Sequence, residues 1–249
     1  MIERQTGITT TDGRMNTFVC HPERHGPHPI VVFYMDAPGI REELRDMARR
    51  LATVGYYVLL PNLYYRSGVE ELGAFTGQAG LAVREKALGY MATLTIPKVM
   101  DDTDALLAFA AKDDAASGGP FVCVGYCMSG QYAINAAARY PDRVVAAASI
   151  YGTRLVTEQP DSPHVVALRA KGEIYIACAE IDHWVPPEMA EQLTEALRDG
   201  GVNAEVEMYP GVEHGFAFPQ RPAYNKPAAE RHWERLFALF ATGLDQAAR

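Results

Sequence analysis

The 249-residue chain is 48% hydrophobic, carries a net charge of −8 and holds four cysteines. That composition suits one core of α/β size, and the acidic balance argues against a nucleic-acid partner or an anionic membrane surface. Cys20, Cys123, Cys127 and Cys178 lack disulfide-framework spacing, no apolar signal core follows Met1, and no apolar run reaches membrane-spanning length, so a cytoplasmic, unprocessed protein is expected.

Residues 2–20 alternate about the turn signal Asp12-Gly13, which predicts an antiparallel hairpin at a sheet edge. The stretch from His21 to Pro29 contains three histidines, but its three prolines and a glycine favour an exposed loop over a metal site. Ile30 to Met35 is a continuous apolar run, a buried strand, and it ends in Asp36-Ala37-Pro38-Gly39. Ligands of open α/β sheets collect at such carboxyl ends. Arg41 to Val54 places Leu44, Met47, Ala48 and Leu51 on one helical face, and Tyr56 to Leu60 is the next strand, stopped by Pro61.

Residues 62–96 show weak periodicity and several glycines, and are expected to form a long excursion over the active edge with short helices of its own. A helix is predicted over Asp101 to Ala111, a loop over 113–120, and a buried strand over Phe121 to Val124. After Gly125-Tyr126-Cys127-Met128-Ser129-Gly130 comes an alanine-rich helix, Gln131 to Tyr140. The remaining elements are a strand over Val144 to Tyr151, a proline-rich crossing at 157–164, strands over Glu173 to Ala179 and Ala204 to Tyr209, and helices over Pro187 to Arg198 and 228–242. Strands alternating with helices of these lengths imply a mainly parallel sheet with helices on both faces. Together with the N-terminal hairpin this is an α/β-hydrolase fold, expected as a single domain of residues 1–249.

Cys127 falls on a strand-to-helix corner flanked by the small residues Gly125, Ser129 and Gly130, the pattern of a nucleophile elbow. A helix N-terminus at that corner favours thiolate over thiol. A buried structural cysteine is the plain alternative. Against it stand Asp182 and His214, each following an apolar strand, so that nucleophile, acid and base occur in the chain order of α/β-hydrolases. Asp182 could otherwise cap the following helix, and His214 could be a solvated loop histidine. His183 is a rival base without the glycine-flanked turn of His214.

The elbow 125–130, the acid segment Asp182-His183-Trp184-Val185-Pro186, the base segment from Tyr209 to Ala217, and Pro61-Asn62-Leu63-Tyr64 resemble the dienelactone hydrolase family, and the similarity extends over nearly the whole chain. The resemblance implies a Cys-His-Asp triad that opens cyclic enol lactones of aromatic degradation, with Cys127 as nucleophile, His214 as base and Asp182 as orienting acid. It places Asp36 where the family has a glutamate touching the resting thiol, and gives the oxyanion hole to the backbone N–H groups of Ala37 and Met128. Arg84 aligns with an arginine for a substrate carboxylate, and Tyr126 is counted among the substrate contacts. Phe218, which stands where the family has a second arginine, is also counted among the substrate contacts, and Arg221 is a nearby replacement cation. A small lactone or ester less charged or more apolar than dienelactone is therefore the expected substrate, with no metal or organic cofactor, and the protein is expected as a monomer or homodimer. A thioesterase or general esterase on the same fold is the alternative, and a non-catalytic redox-sensing or binding protein a more distant one.

Overall fold

The computed structural model describes residues 1–69, 71–72 and 77–249, so residues 70 and 73–76 of the expected excursion lie outside the described residues. Eight strands run β1 (Ile2–Thr10), β2 (Gly13–His21), β3 (His28–Tyr34), β4 (Tyr57–Pro61), β5 (Ala116–Tyr126), β6 (Val144–Ile150), β7 (Glu173–Ile181) and β8 (Ala204–Glu213). They form one sheet in the order β1-β2-β4-β3-β5-β6-β7-β8. The helices are α1 (Glu42–Thr53), α2 (Gly77–Met91), α3 (Ile96–Ala110), α4 (Gly130–Arg139), α5 (Pro163–Val166), α6 (Pro187–Asp199) and α7 (Lys226–Ala247). The chain divides into two compact units, Met1–Phe121 and Val122–Arg249, with the boundary inside β5.

In the first unit the expected hairpin forms, with Ile2 opposite His21 and Thr10 opposite Gly13, and β2 pairs antiparallel with β4. The parallel part begins with β3 beside β4. Helix α1 is as its pattern predicts: Leu44, Met47, Ala48 and Leu51 are buried, and Glu42 and Glu43 lie in the first turn, where the helix dipole favours negative charge. Helix α3 starts five residues before its expected first residue, because Thr95 caps it by accepting the Lys98 N–H and a proline occupies its first turn. Strand β5 likewise begins at Ala116, extending back through Gly118-Gly119-Pro120, which reads as loop.

Among its described residues the excursion contains a short 3-10 turn, Tyr65–Ser67, and the 15-residue helix α2. Its entry is tied down before that helix begins. Asn62 holds the turn through Tyr64 N–H (3.0 Å), the Tyr64 hydroxyl donates to Ala37 O (2.9 Å), and Arg66 and the Tyr65 hydroxyl both reach Asp102 of α3 at 2.8 Å. Glu71 adds a bridge to Gly39.

In the second unit β6, β7 and β8 are parallel neighbours, with α4 against β6, α7 across β6 and β7, and α6 on β8. Ala146, Ala147 and Ala148 keep β6 low, which lets α7 come close at Gly243. A Cβ there would stand 2.8 Å from Val145 O, so the approach admits no side chain. Asn225 caps α7 by accepting the Ala228 N–H at 3.1 Å. Strand β8 continues past the expected Tyr209 to Glu213, with a register irregularity opposite Ala179 and Ile181 of β7. No described helix is long and apolar enough to cross a membrane.

Candidate active site

Cys127 directly follows β5, Asp182 directly follows β7 and His214 directly follows β8, so all three side chains leave the carboxyl ends of strands. The elbow is a matter of backbone crowding. Cys127 has φ of 54°, the left-handed region that a residue with a side chain rarely occupies without support from its surroundings. At Gly125 a Cβ would lie 2.0 Å from Ser129 O, and at Gly130 one would lie 2.2 Å from Ser149 Oγ and 2.6 Å from Gly152 Cα. The carbonyl of Cys127 is held by the Thr153 N–H at 3.0 Å. Ser129, where the family commonly has glycine, has φ of −95° and needs no special freedom. The Cys127 side chain is partly exposed, whereas Cys20, Cys123 and Cys178 are buried. Burial pushes the Cys20 and Cys178 thiols up to about 12 and Cys123 higher still, which leaves those three inert.

Acid and base arrive as a pair. The irregularity between β7 and β8 brings Ile181 opposite Glu213, and the His214 N–H donates to Ile181 O at 3.3 Å. One step further, His214 Nδ1 meets Asp182 Oδ2 at 2.7 Å. The other Asp182 oxygen accepts the Trp184 N–H at 2.9 Å, so both lone-pair sets of this buried carboxylate are used. An Nδ1–H donating to Asp182 leaves Nε2 as the working nitrogen. Nε2 is buried and makes no hydrogen bond of ordinary geometry. Cys127 nevertheless acts electrostatically on this ring. Burial pulls the His214 imidazolium down, but the Cys127 thiolate and the Asp182 carboxylate outweigh it and carry His214 up to about 9. His183 is exposed and packs beside Trp184, with ring centroids 4.9 Å apart.

Aromatic rings back the site. The Tyr151 ring lies edge-on to His214 at 5.0 Å and to Phe216 at 5.2 Å, and Tyr126 packs on Phe218 at 5.5 Å and on Tyr151 at 6.0 Å. Tyr126 and Phe218, expected as substrate contacts, are both 0% exposed, and the Tyr126 hydroxyl bonds His232 at 3.1 Å. Arg221 lays its guanidinium over the Phe218 ring at 4.8 Å, and its Nη1 lies 3.0 Å from where a Cβ on Gly215 would stand, beside His214. Met128, the residue after the apex, is buried, with its carbonyl accepting from Gln131 at 2.8 Å.

Three expected residues, Asp36, Ala37 and Arg84, belong to the first unit. Asp36 is fully buried, and Arg41 clasps it with two bonds, Nη1 to Oδ1 at 2.6 Å and Nη2 to Oδ2 at 3.2 Å. The same guanidinium reaches Glu43 at 2.7 Å and Gly39 O at 3.2 Å. Burial works against the charge on Arg41, but Asp36 and Glu43 outweigh it and raise its affinity for the proton. Arg41 reads in the sequence only as the start of a helix; its spacing across the Pro38-Gly39 turn is the one signal that it could fold back on Asp36. Arg84 is exposed on α2.

An eight-stranded sheet in this order, antiparallel at β2 and with a strained cysteine on the corner after β5, defines an α/β-hydrolase. The chain belongs to the dienelactone hydrolase family, whose pattern matches residues 15–244, and so to the carboxylic ester hydrolases. It is 28% identical over 240 residues to a Methylorubrum extorquens protein named "Putative carboxymethylenebutenolidase", covering 95% of this chain and 79% of the relative. It is 26% identical over 220 residues to a Bradyrhizobium protein named "Probable 2-oxo-3-(5-oxofuran-2-ylidene)propanoate lactonase", covering 87% and 84%. Among solved structures, one titled as a putative dienelactone hydrolase from Klebsiella pneumoniae superposes with a TM-score of 0.83 at 24% identity, covering 96% and 98%.

Proposed function

We propose that the protein hydrolyses an enol lactone, or an ester of similar activation, with Cys127 as nucleophile, His214 as base and acid, and Asp182 as the group that orients the histidine. The thiolate attacks the carbonyl carbon, a C–S bond forms, and the carbonyl electron pair moves onto oxygen, close to the backbone N–H of Met128. Collapse breaks the ring C–O bond and releases an enolate, which takes the proton of the His214 imidazolium. Neutral His214 then deprotonates a water that attacks the thioester, and the departing thiolate recovers its proton from the imidazolium.

The observation that carries this reading is His214 itself. Its Nδ1 is fixed on Asp182, and Cys127 and Asp182 together carry it up to about 9, so the imidazolium is held beside Cys127 at neutral pH. The substrate carries a single carboxylate, met on the histidine side by one arginine. Phe218 fills with buried ring the position of a family arginine, and Arg221 is the cation beside the histidine loop. The lactone in the name of the Bradyrhizobium relative has a single carboxylate, in keeping with that count.

The test is hydrolysis of two enol lactones differing by one carboxylate, by wild type, Cys127→Ala and Arg221→Ala. The reading expects preference for the monoanion, no turnover by Cys127→Ala, an acyl adduct on Cys127 by mass spectrometry, and a raised KM in Arg221→Ala. Turnover by Cys127→Ala ends the mechanism. Faster cleavage of p-nitrophenyl esters than of either lactone selects the general esterase instead.

A further inference from the structure

His232 lies on α7, far from the catalytic set in sequence, and is fully buried. Its two ring nitrogens have different partners. Nδ1 meets the carbonyl of Ala229, which can only accept, so the proton sits on Nδ1 of the neutral ring. Nε2 is then a lone pair, and the Tyr126 hydroxyl donates to it at 3.1 Å across 106 positions of sequence. Tyr126 is the residue before Cys127. Its backbone is extended, with φ of −109°, and the chain switches to φ of 54° at the next residue.

The same imidazole stands edge-on to Tyr126 at 5.8 Å and to Phe216 at 6.2 Å. Phe216 and Tyr126 both abut Tyr151, and Tyr151 abuts His214. Ring-on-ring contacts of this kind fill space but tolerate sliding. A hydrogen bond between two buried groups fixes both distance and direction, and it is costly to leave unmade.

We infer that His232 is a positioning residue: by holding the Tyr126 hydroxyl it sets the elbow against the aromatic wall that also sets His214, and so aligns thiol with imidazole. The inference rests on Cys127 being the nucleophile. Displacing a reacting group by about 1 Å can cost on the order of 10²-fold in rate without touching the substrate.

The experiment compares His232→Phe, Tyr126→Phe, their double variant and His232→Gln in the full chain. The readouts are kcat, KM and the rate of Cys127 alkylation by iodoacetamide, with Tm measured alongside. His232→Phe keeps a ring and loses the acceptor; kcat and alkylation should fall by roughly 10-fold to 10²-fold at unchanged KM. Tyr126→Phe should fall equally, and the double variant no further, because both remove one bond. His232→Gln, which restores an acceptor oxygen, should recover most of the loss. If His232→Phe fails to fold, Tyr126→Phe, which lacks a single oxygen, decides alone. A lowered Tm with kcat and alkylation intact overturns the inference. Turnover by Cys127→Ala, in contrast, removes the nucleophile reading on which it stands, so the two failures are separable.

Discussion

Replacing Cys127 with alanine removes one of the two charges that keep a proton on His214. In the wild type the imidazolium is carried from an ordinary 6.5 up to about 9, with burial pulling the other way. A rise of that size is worth about 3 kcal/mol in favour of the charged ring, so the attraction from Cys127 and Asp182 together exceeds that figure. Cys127 is the stronger of the two sources. Its removal should therefore move the His214 titration down from about 9. The measurement is a side-chain nitrogen NMR titration of His214 in both proteins, each with its fold verified by near-UV circular dichroism. Unchanged titration at about 9 in the alanine variant would show that the thiol does not act on this ring, and the proposed ion pair would have no basis. Stability follows with a definite sign. Because the folded value lies above the ordinary one, protonated His214 stabilises the fold fully below pH 6.5, and that contribution is lost as pH rises through about 9. In Cys127→Ala the loss should be complete at lower pH, which denaturant titrations at pH 6, 8 and 10 would show.

Asp182→Asn keeps an oxygen for the Trp184 N–H but no longer holds the Nδ1–H tautomer, so kcat should fall on the order of 10³-fold to 10⁴-fold with little change in Tm; a fall under tenfold in steady-state assays contradicts the orienting role. Arg41→Leu leaves the Asp36 and Glu43 carboxylates buried without their guanidinium, and urea unfolding should report a loss of about 3–5 kcal/mol. Gly125→Ala drives a methyl into Ser129 O, and the elbow must open to admit it. A loss of about 3 kcal/mol with near-complete inactivation is expected, and an active variant of wild-type stability would refute the crowding argument.

The features legible in the sequence are those whose cause is local. The elbow announces itself because glycine, cysteine, serine and glycine stand within six positions, and the hairpin because Asp12-Gly13 stands between alternating arms. Helix α1 is legible because one face collects the apolar residues. Helix α2 is not, since Leu81 and Leu88 point outward while Ala87 is buried, and no single face gathers the hydrophobic residues. Strand β5 starts in turn-forming residues, and β8 runs through Pro210-Gly211; each is a strand because of its neighbours in the sheet, against its own composition. The Asp36–Arg41 clasp and the Tyr126–His232 bond are pairings made by the fold, the second across 106 positions, and neither residue type betrays its partner. The burial of Tyr126 and Phe218 is hidden for the same reason: position in sequence says nothing about which way a ring turns.

The corner at residue 127 takes its shape from main-chain atoms: Gly125 tucked under the Ser129 carbonyl, Gly130 against Gly152, and a peptide N–H from Thr153 on the apex carbonyl. None of these contacts involves the sulfur. The proposed nucleophile is thus an interchangeable fitting on a mount that does not depend on it, and a serine could stand in its place with the turn undisturbed. A lineage built on this mount can trade soft for hard nucleophile by a single codon change, and so move between substrates of different leaving-group strength while the scaffold stays as it is.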